Sequence, residues 1–198
     1  TYPEGTGLFT TQARTSEGAA VVAWYDRTAG QLYWSRMVDA GFGEPEVLAG
    51  WESDDPIRMG DMGANVDLTL DANDNAYFCF QDGLTDSLRY LAPELGHQEW
   101  VDDGVRLDVG GRAHSVHVVG DDCNIELDLQ GRPLMVYQDS TMQALLLRRR
   151  DRETVDDRNE WGRRQALRGD TGRFMGSFGF YTSAVVERNR LYISHFVY

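Results

Sequence analysis

Residues 124–147 read NIELDLQGRPLMVYQDSTMQALLL, and the same arrangement returns at a fixed distance on either side. From Asp139, steps of 57 and 56 residues back reach Asp82 and Asp26, and a step of 56 forward reaches His195. The glycine nineteen positions before each anchor gives a second column, Gly7, Gly63, Gly120 and Gly176. Leu32, Leu88 and Leu145, six positions after each Asp, give a third. Three columns in one register define an internal repeat, and a repeat decides the architecture before any local reading does.

Within each copy the chain divides into short runs rich in Val, Leu, Tyr, Phe and Trp separated by turn residues, the signature of strands. The first copy gives 8–13, 19–25, 31–37 and 45–48; the second 65–70, 76–81, 87–91 and 99–107; the third 123–127, 133–138, 144–149 and 161–167. The fourth offers only 179–185 and 190–197. Ser16-Glu17-Gly18, Asn73-Asp74-Asn75, Gln130-Gly131-Arg132 and Glu187-Arg188-Asn189 supply tight-hairpin chemistry between first and second strands. Asp26, Asp82 and Asp139 open the next turn, where an Asp carboxylate can accept main-chain N–H groups two residues on; this column is expected to be structural.

Four antiparallel strands per unit of about 56 residues is the pattern of a β-propeller blade. Sandwiches and simple barrels do not require so regular a repeat, and no 3.6-residue spacing points to a helical solenoid. The expectation is an all-β propeller of four-stranded antiparallel blades, about 3.5 of them, occupying 1–198 as one segment. The blades fall at approximately 5–50, 60–108 and 118–168, with a half-blade at 174–198. Exposed blade faces would then be completed by another chain or by further sequence, and the start at Thr1-Tyr2-Pro3 is expected to mark a processed or excised segment.

The run Gly120-x-x-x-x-Ile125-x-Leu127-Asp128-x-x-Gly131-x-Pro133-x-x-x-Tyr137-x-Asp139, with AAVVAWYDRTAGQLYWS at 19–35 and its counterpart at 63–90, resembles the repeats of secreted bacterial β-propeller proteins. Their consensus reads roughly G-x-x-x-S-L-x-L-D-x-x-G-x-P-x-h-x-Y-x-D-x-x-x-x-x-L-x-Y. The resemblance covers nearly the whole chain and implies a propeller and an extracellular, surface or periplasmic location; it implies no reaction. The fourth copy departs from it by losing the Asp and the Pro, and the charged segment after Leu147 lies outside it.

The chain of 198 residues carries 32 Asp and Glu against 19 Lys and Arg, a formal charge of −13, which argues against attachment to nucleic acid or anionic lipid. No apolar run approaches the length of a membrane-spanning helix. Cys79 and Cys123 lie on expected strands of adjacent copies; a disulfide and two free buried thiols both fit that placement. The charged run 148–170 is expected to be a long hairpin whose charges face water and blunt an edge.

The turns 26–30, 82–86 and 139–143 should share one face with the links 50–63, 109–120 and 169–176, where propellers carry sites. Trp51, Asp61, Arg112, His114 and His117 are the candidate binding residues there. The leading expectation is a non-catalytic extracellular binding or assembly module whose partner is another protein chain or further blades. One alternative is a carbohydrate-active enzyme resembling polysaccharide lyases: His114 or His117 as base, Arg112 pairing a uronate, Tyr181 as acid. Another is lectin-like sugar binding. The two imidazoles also admit a metal reading; no metal or cofactor is assigned. A calcium-loop reading of Asp71 to Asp82 loses to the hairpin, because Ala76 stands where the loop needs Gly.

Overall fold

The computed structural model describes residues 5–39, 41–51, 59–107, 113–151, 161–168 and 176–198. The first sheet runs β1 (Leu8–Arg14), β2 (Ala20–Asp26), β3 (Gln31–Val38) and β5 (Glu46–Gly50), with the two-residue β4 (Gly41–Phe42) also on β3. The second is β6 (Met62–Leu70), β7 (Ala76–Asp82), β8 (Ser87–Ala92) and β9 (His97–Asp102). A small pair, β10 (Val105–Leu107) with β11 (Ala113–Val116), follows it. The third sheet is β12 (Val119–Leu127), β13 (Pro133–Asp139), β14 (Ala144–Arg149) and β15 (Gln165–Arg168), and β16 (Phe178–Glu187) pairs with β17 (Arg190–Val197) in the fourth. The protein is all-β, built of four-stranded antiparallel meanders in sequence order.

Two strand expectations change. The run 99–107 is broken, because Gly104 takes a left-handed φ of 68° that ends β9 and sends Val105–Leu107 into pairing with β11. The run 161–167 shortens to Gln165–Arg168, with Trp161 held by an isolated bridge to Arg150.

Packing follows sheet order. Val21, Ala23, Leu32 and Trp34 of the first sheet meet Val66, Leu68, Phe78 and Phe80 of the second. Tyr77, Cys79, Leu88 and Tyr90 on the other side of the second meet Ile125, Met135, Tyr137 and Leu146 of the third. Val136 and Leu145 then meet Phe178, flanked by Ala184, Leu191 and Ile193. β7 and β13 are therefore buried on both sides along their whole length, whereas β2, β16 and β17 alternate between a covered side and an uncovered one. Cys79 and Cys123 form a disulfide, joining β7 to β12.

One hydrogen bond recurs at each junction. The amides of Met62, Val119 and Phe178 donate to the carbonyls of Gly30, Asp86 and Gln143 of the preceding sheet at 3.3, 3.0 and 3.1 Å. The residue after each donor is glycine with positive φ: 118° at Gly63, 97° at Gly120 and 94° at Gly179. A Cβ at Gly63 or Gly120 would stand 3.2 Å from the main chain of Leu32 or Leu88, so the innermost strand approaches its neighbour only with glycine there. These bonds place Gly179, not Gly176, in the glycine column. Register agrees, since Phe178 pairs with Val197 as Met62 pairs with Asp82 and Val119 with Asp139. Val197, not His195, ends the Asp column; the spacing stretches in the last copy and the constant step misplaces both members.

Candidate functional site

The turns after the second strands meet the described ends of the links into the innermost strands, with the amides of Gly83 and Ser140 donating to the carbonyls of Asp61 and Val118 at 2.8 and 3.0 Å. Asp26 Oδ1 accepts the amides of Thr28 and Ala29 at 2.8 and 3.0 Å, and the Ala29 bond is the largest influence holding this carboxyl below the usual carboxylate range. Asp82 takes the amide of Leu84 at 3.0 Å, the hydroxyl of Thr85 at 2.8 Å and the guanidinium of Arg89 at 3.3 Å, all in a buried setting. Asp139 takes the amide of Met142 at 2.9 Å and faces His117 Nδ1 at 2.8 Å. Each Asp orders its turn, and the two buried ones also meet a basic side chain.

Beside the first of these turns the structure brings Trp51 and Asp61 together. A Cβ on Gly30 would lie 2.6 Å from Trp51 Cδ1 and 3.2 Å from Asp61 Oδ1, and one on Gly83 would lie 2.9 Å from Asp61 Oδ2. The equivalents of Gly30 are Asp86 and Gln143, with φ of 53° and 54° against its 64°, so this backbone accepts side chains in the other copies. What glycine adds at position 30 is room for the indole. The Tyr25 hydroxyl donates to Asp61 Oδ1 at 2.6 Å, and burial with this carboxylate beside it pushes the phenol far above its ordinary range. Trp51 is 49 % exposed. An exposed ring beside a carboxylate held by a phenol can stack on one face of a ligand and accept its hydroxyls.

Of the remaining candidates, His117 and Tyr181 have described side chains. Arg112 lies outside the described residues, as do the charged segment 152–160 and the links 52–58 and 169–175; His114 lies on β11, its side chain outside them too. His117 is buried against Asp139 and donates its amide to Gly104. Tyr181 sits on β16 with its ring exposed and edge-on to Phe196, and its amide donates to Asp122 Oδ2 at 2.9 Å. Asp71, at the start of the rejected calcium loop, accepts the amides of Asn73 and Asn75 at 2.8 and 2.9 Å and closes the β6–β7 hairpin. Among the described residues no group of three acidic, His or Cys side chains could hold a metal ion.

Sequence reasoning missed a set of polar groups on the innermost strands. Asp67 and Asn124 stand four residues after their glycines and accept the amides of Ile125 and Ala184 of the next sheet at 3.0 and 3.1 Å. Burial raises the Asp67 carboxyl, and burial with Asp67 nearby pushes Glu126 up to about 7. The available signal was a column of polar residues, Thr11, Asp67 and Asn124, each four positions after the column glycine. The Tyr137 hydroxyl likewise donates to Asp102 at 2.6 Å, from the third sheet to the second.

No protein-family model matches the chain, and no curated protein matches it by sequence. Solved structures match it in shape. The α-L-arabinofuranosidase of Fusarium graminearum, in complex with an iminosugar inhibitor, superposes with a TM-score of 0.55 at 10 % identity, over 91 % of this chain and 53 % of that one. The α-L-arabinanase of Penicillium chrysogenum, complexed with arabinobiose, gives 0.54 at 12 % identity over 91 % and 54 %. The chain spans about half the length of these structures, and the likeness is one of fold: a propeller-like arrangement of antiparallel sheets.

Proposed function

We propose that this chain is a partial β-propeller of about three and a half blades that serves as a non-catalytic, extracellular binding and assembly module, its open blade faces covered by further blades of the same kind. The observation that carries this reading is the contrast between equivalent positions. Val22, Trp24 and Tyr33 of the first sheet stand where Met135, Tyr137 and Leu146 stand in the third. The latter are 0, 0 and 3 % exposed beneath the second sheet, while the former are only half-buried. At the other end Val185, Tyr192 and Phe196 are 52, 49 and 62 % exposed on the side of the fourth sheet turned away from the third. Aromatic and aliphatic side chains at blade-interface positions fit a neighbouring blade, and covering each of the large ones is worth about 1.5–3 kcal/mol. The disulfide suits an exported protein. Light scattering of the native particle, with intact-mass measurement of every polypeptide in it, tests the reading. A particle containing more propeller-type blades than this sequence encodes is the expected result; a folded particle of 22.4 kDa alone overturns it.

A second reading, lectin-like sugar binding, is favoured by Trp51 over Gly30 beside Asp61. Arabinobiose should quench tryptophan fluorescence in the native protein and not in Trp51→Ala; no quenching in either removes this reading. Of the residues of the lyase-like alternative, His117 is buried against Asp139 and Tyr181 is exposed on β16, while Arg112 and the side chain of His114 lie outside the described residues.

A further inference from the structure

The contacts that join each sheet to the one before it recur, and the first sheet carries its own half of each. The amide equivalent to those of Met62, Val119 and Phe178 is that of Thr6, and it has no hydrogen-bond partner among the described residues. The glycine after it, Gly7, has a φ of 83°, in the left-handed range of Gly63, Gly120 and Gly179. A Cβ on those three would stand 3.1, 3.2 and 3.3 Å from atoms of Leu32, Leu88 and Gln138 in the preceding sheet. One on Gly7 would meet nothing within 4 Å. The close-approach device is therefore built in at Gly7, with open space where the neighbour belongs.

A further contact runs to the outermost strand of the preceding sheet. Trp24, Phe80 and Tyr137 stand in one column, two residues before each anchor Asp. Ala49, paired with Leu32, and Asp102, paired with Leu88, hold matching places on β5 and β9. Phe80 shares an apolar cluster with Ala49, and the Tyr137 hydroxyl donates to Asp102 at 2.6 Å. An apolar ring is thus matched with a methyl group, and a ring bearing a polar hydrogen with a carboxylate. Trp24 bears such a hydrogen on Nε1, stacks on Tyr33 with centroids 5.7 Å apart, and has no hydrogen-bond partner among the described residues. The apolar side also reaches the sheet's outer edge. Val47 pairs with Tyr33 and Phe42 with Met37, and Val47, Met37 and Phe42 are all exposed. A two-stranded sheet such as β16–β17 would leave that outer part bare; a four-stranded one covers it.

We propose that the first sheet receives a complete four-stranded blade in the register of the internal junctions. A turn carbonyl of that blade accepts the Thr6 amide, its leucine-column residue lies against Gly7, and a carboxylate on its outermost strand accepts the Trp24 indole N–H. The proposal rests on the reading that further blades cover the open faces, and adds the kind of blade, its register and the groups that hold it.

Hydrogen–deuterium exchange of the native particle, read at single amides with the particle mass measured alongside, tests it. The Thr6 amide is expected to exchange as slowly as those of Met62 and Val119. Trp24→Phe keeps an apolar ring and removes the N–H, and should quicken exchange at Thr6 roughly tenfold or more. Gly7→Leu and Gly18→Leu impose similar backbone strain, at φ of 83° and 86°, and in this chain both positions face open space. Only Gly7→Leu should strip the protection of Thr6. A Thr6 amide exchanging like an unstructured one, in a particle that does contain extra blades, overturns the register and leaves the assembly reading standing. A lone 22.4 kDa particle overturns both. Unchanged protection in Trp24→Phe, or equal losses in the two glycine variants, also overturns the proposal.

Discussion

Asp67 Oδ2 accepts the main-chain amide of Ile125 at 3.0 Å, so a carboxylate of the second sheet holds the innermost strand of the third. Its other oxygen takes the Thr11 hydroxyl at 2.9 Å, joining three sheets through one side chain. Asn124 repeats the device one copy later, accepting from Ala184 and donating Nδ2 to the Thr182 carbonyl at 2.9 Å. Asp67→Ala strands a partly buried amide and should cost about 1–3 kcal/mol. Asp67→Asn keeps an acceptor without burying a charge and should cost less. Urea unfolding at neutral pH separates the two; equal losses would show that the bond across the sheets contributes nothing.

Glu126 makes stability depend on pH. Its carboxyl titrates near 4.5 when unfolded and is pushed up to about 7 in the fold, by burial first and by Asp67 second. Between those values the folded chain holds a proton that the unfolded chain has released. The stability contributed is fully present below 4.5 and is lost as pH rises through about 7. The raised carboxyls of Asp67 and Asp122 act in the same sense. Asp26, Asp71 and Asp128, held low, contribute stability above 3.8 that disappears only in stronger acid. The melting temperature should therefore fall between about pH 5 and pH 8, and Glu126→Gln should flatten that fall. An equal slope in the variant assigns the effect elsewhere.

The three Asp anchors should not be equivalent under mutation. Asp26 is half-buried and serves mainly two turn amides and the Thr6 hydroxyl, so Asp26→Ala should cost about 1–2 kcal/mol. Asp82 and Asp139 are buried against Arg89 and His117. Arg89→Met, which leaves the Asp82 carboxylate without that cation, should cost about 3–5 kcal/mol. The double variant Asp82→Ala/Arg89→Met should cost less than the sum of the single ones. Additive losses in denaturant unfolding would deny the coupling.

How far the sequence could be read depended on what each column encodes. Gly63, Gly120, Asp82 and Asp139 mark local geometry, a close approach or a turn, and such demands write themselves into residue type at fixed spacing. The last copy resisted because Gly176 and His195 satisfy the step of 56 while the hydrogen bond of Phe178 to Gln143 sets the true register. That information lies in pairing, not in spacing. The Trp51–Asp61 arrangement was legible as two residues on one expected face, but their meeting depends on the missing Cβ atoms of Gly30 and Gly83.

The disulfide supplies the last expectation. Cys79 and Cys123, 44 residues apart, close a loop that contains the rest of the second sheet and the link to the third. Restricting a loop of that length in the unfolded chain is worth about 4 kcal/mol in the chain-entropy account. Both residues are nearly inaccessible, at 0 and 4 % exposure, so a thiol reductant must wait for the sheets to part. Reduction of the folded protein should therefore be slow and should quicken with urea, at a rate set by opening and not by reductant concentration. Once the bond is reduced, or replaced in Cys79→Ala/Cys123→Ala, the urea midpoint should drop by an amount corresponding to about 4 kcal/mol. Fast reduction, proportional to reductant, would place the bond on the surface and contradict the packing of β7 against β12.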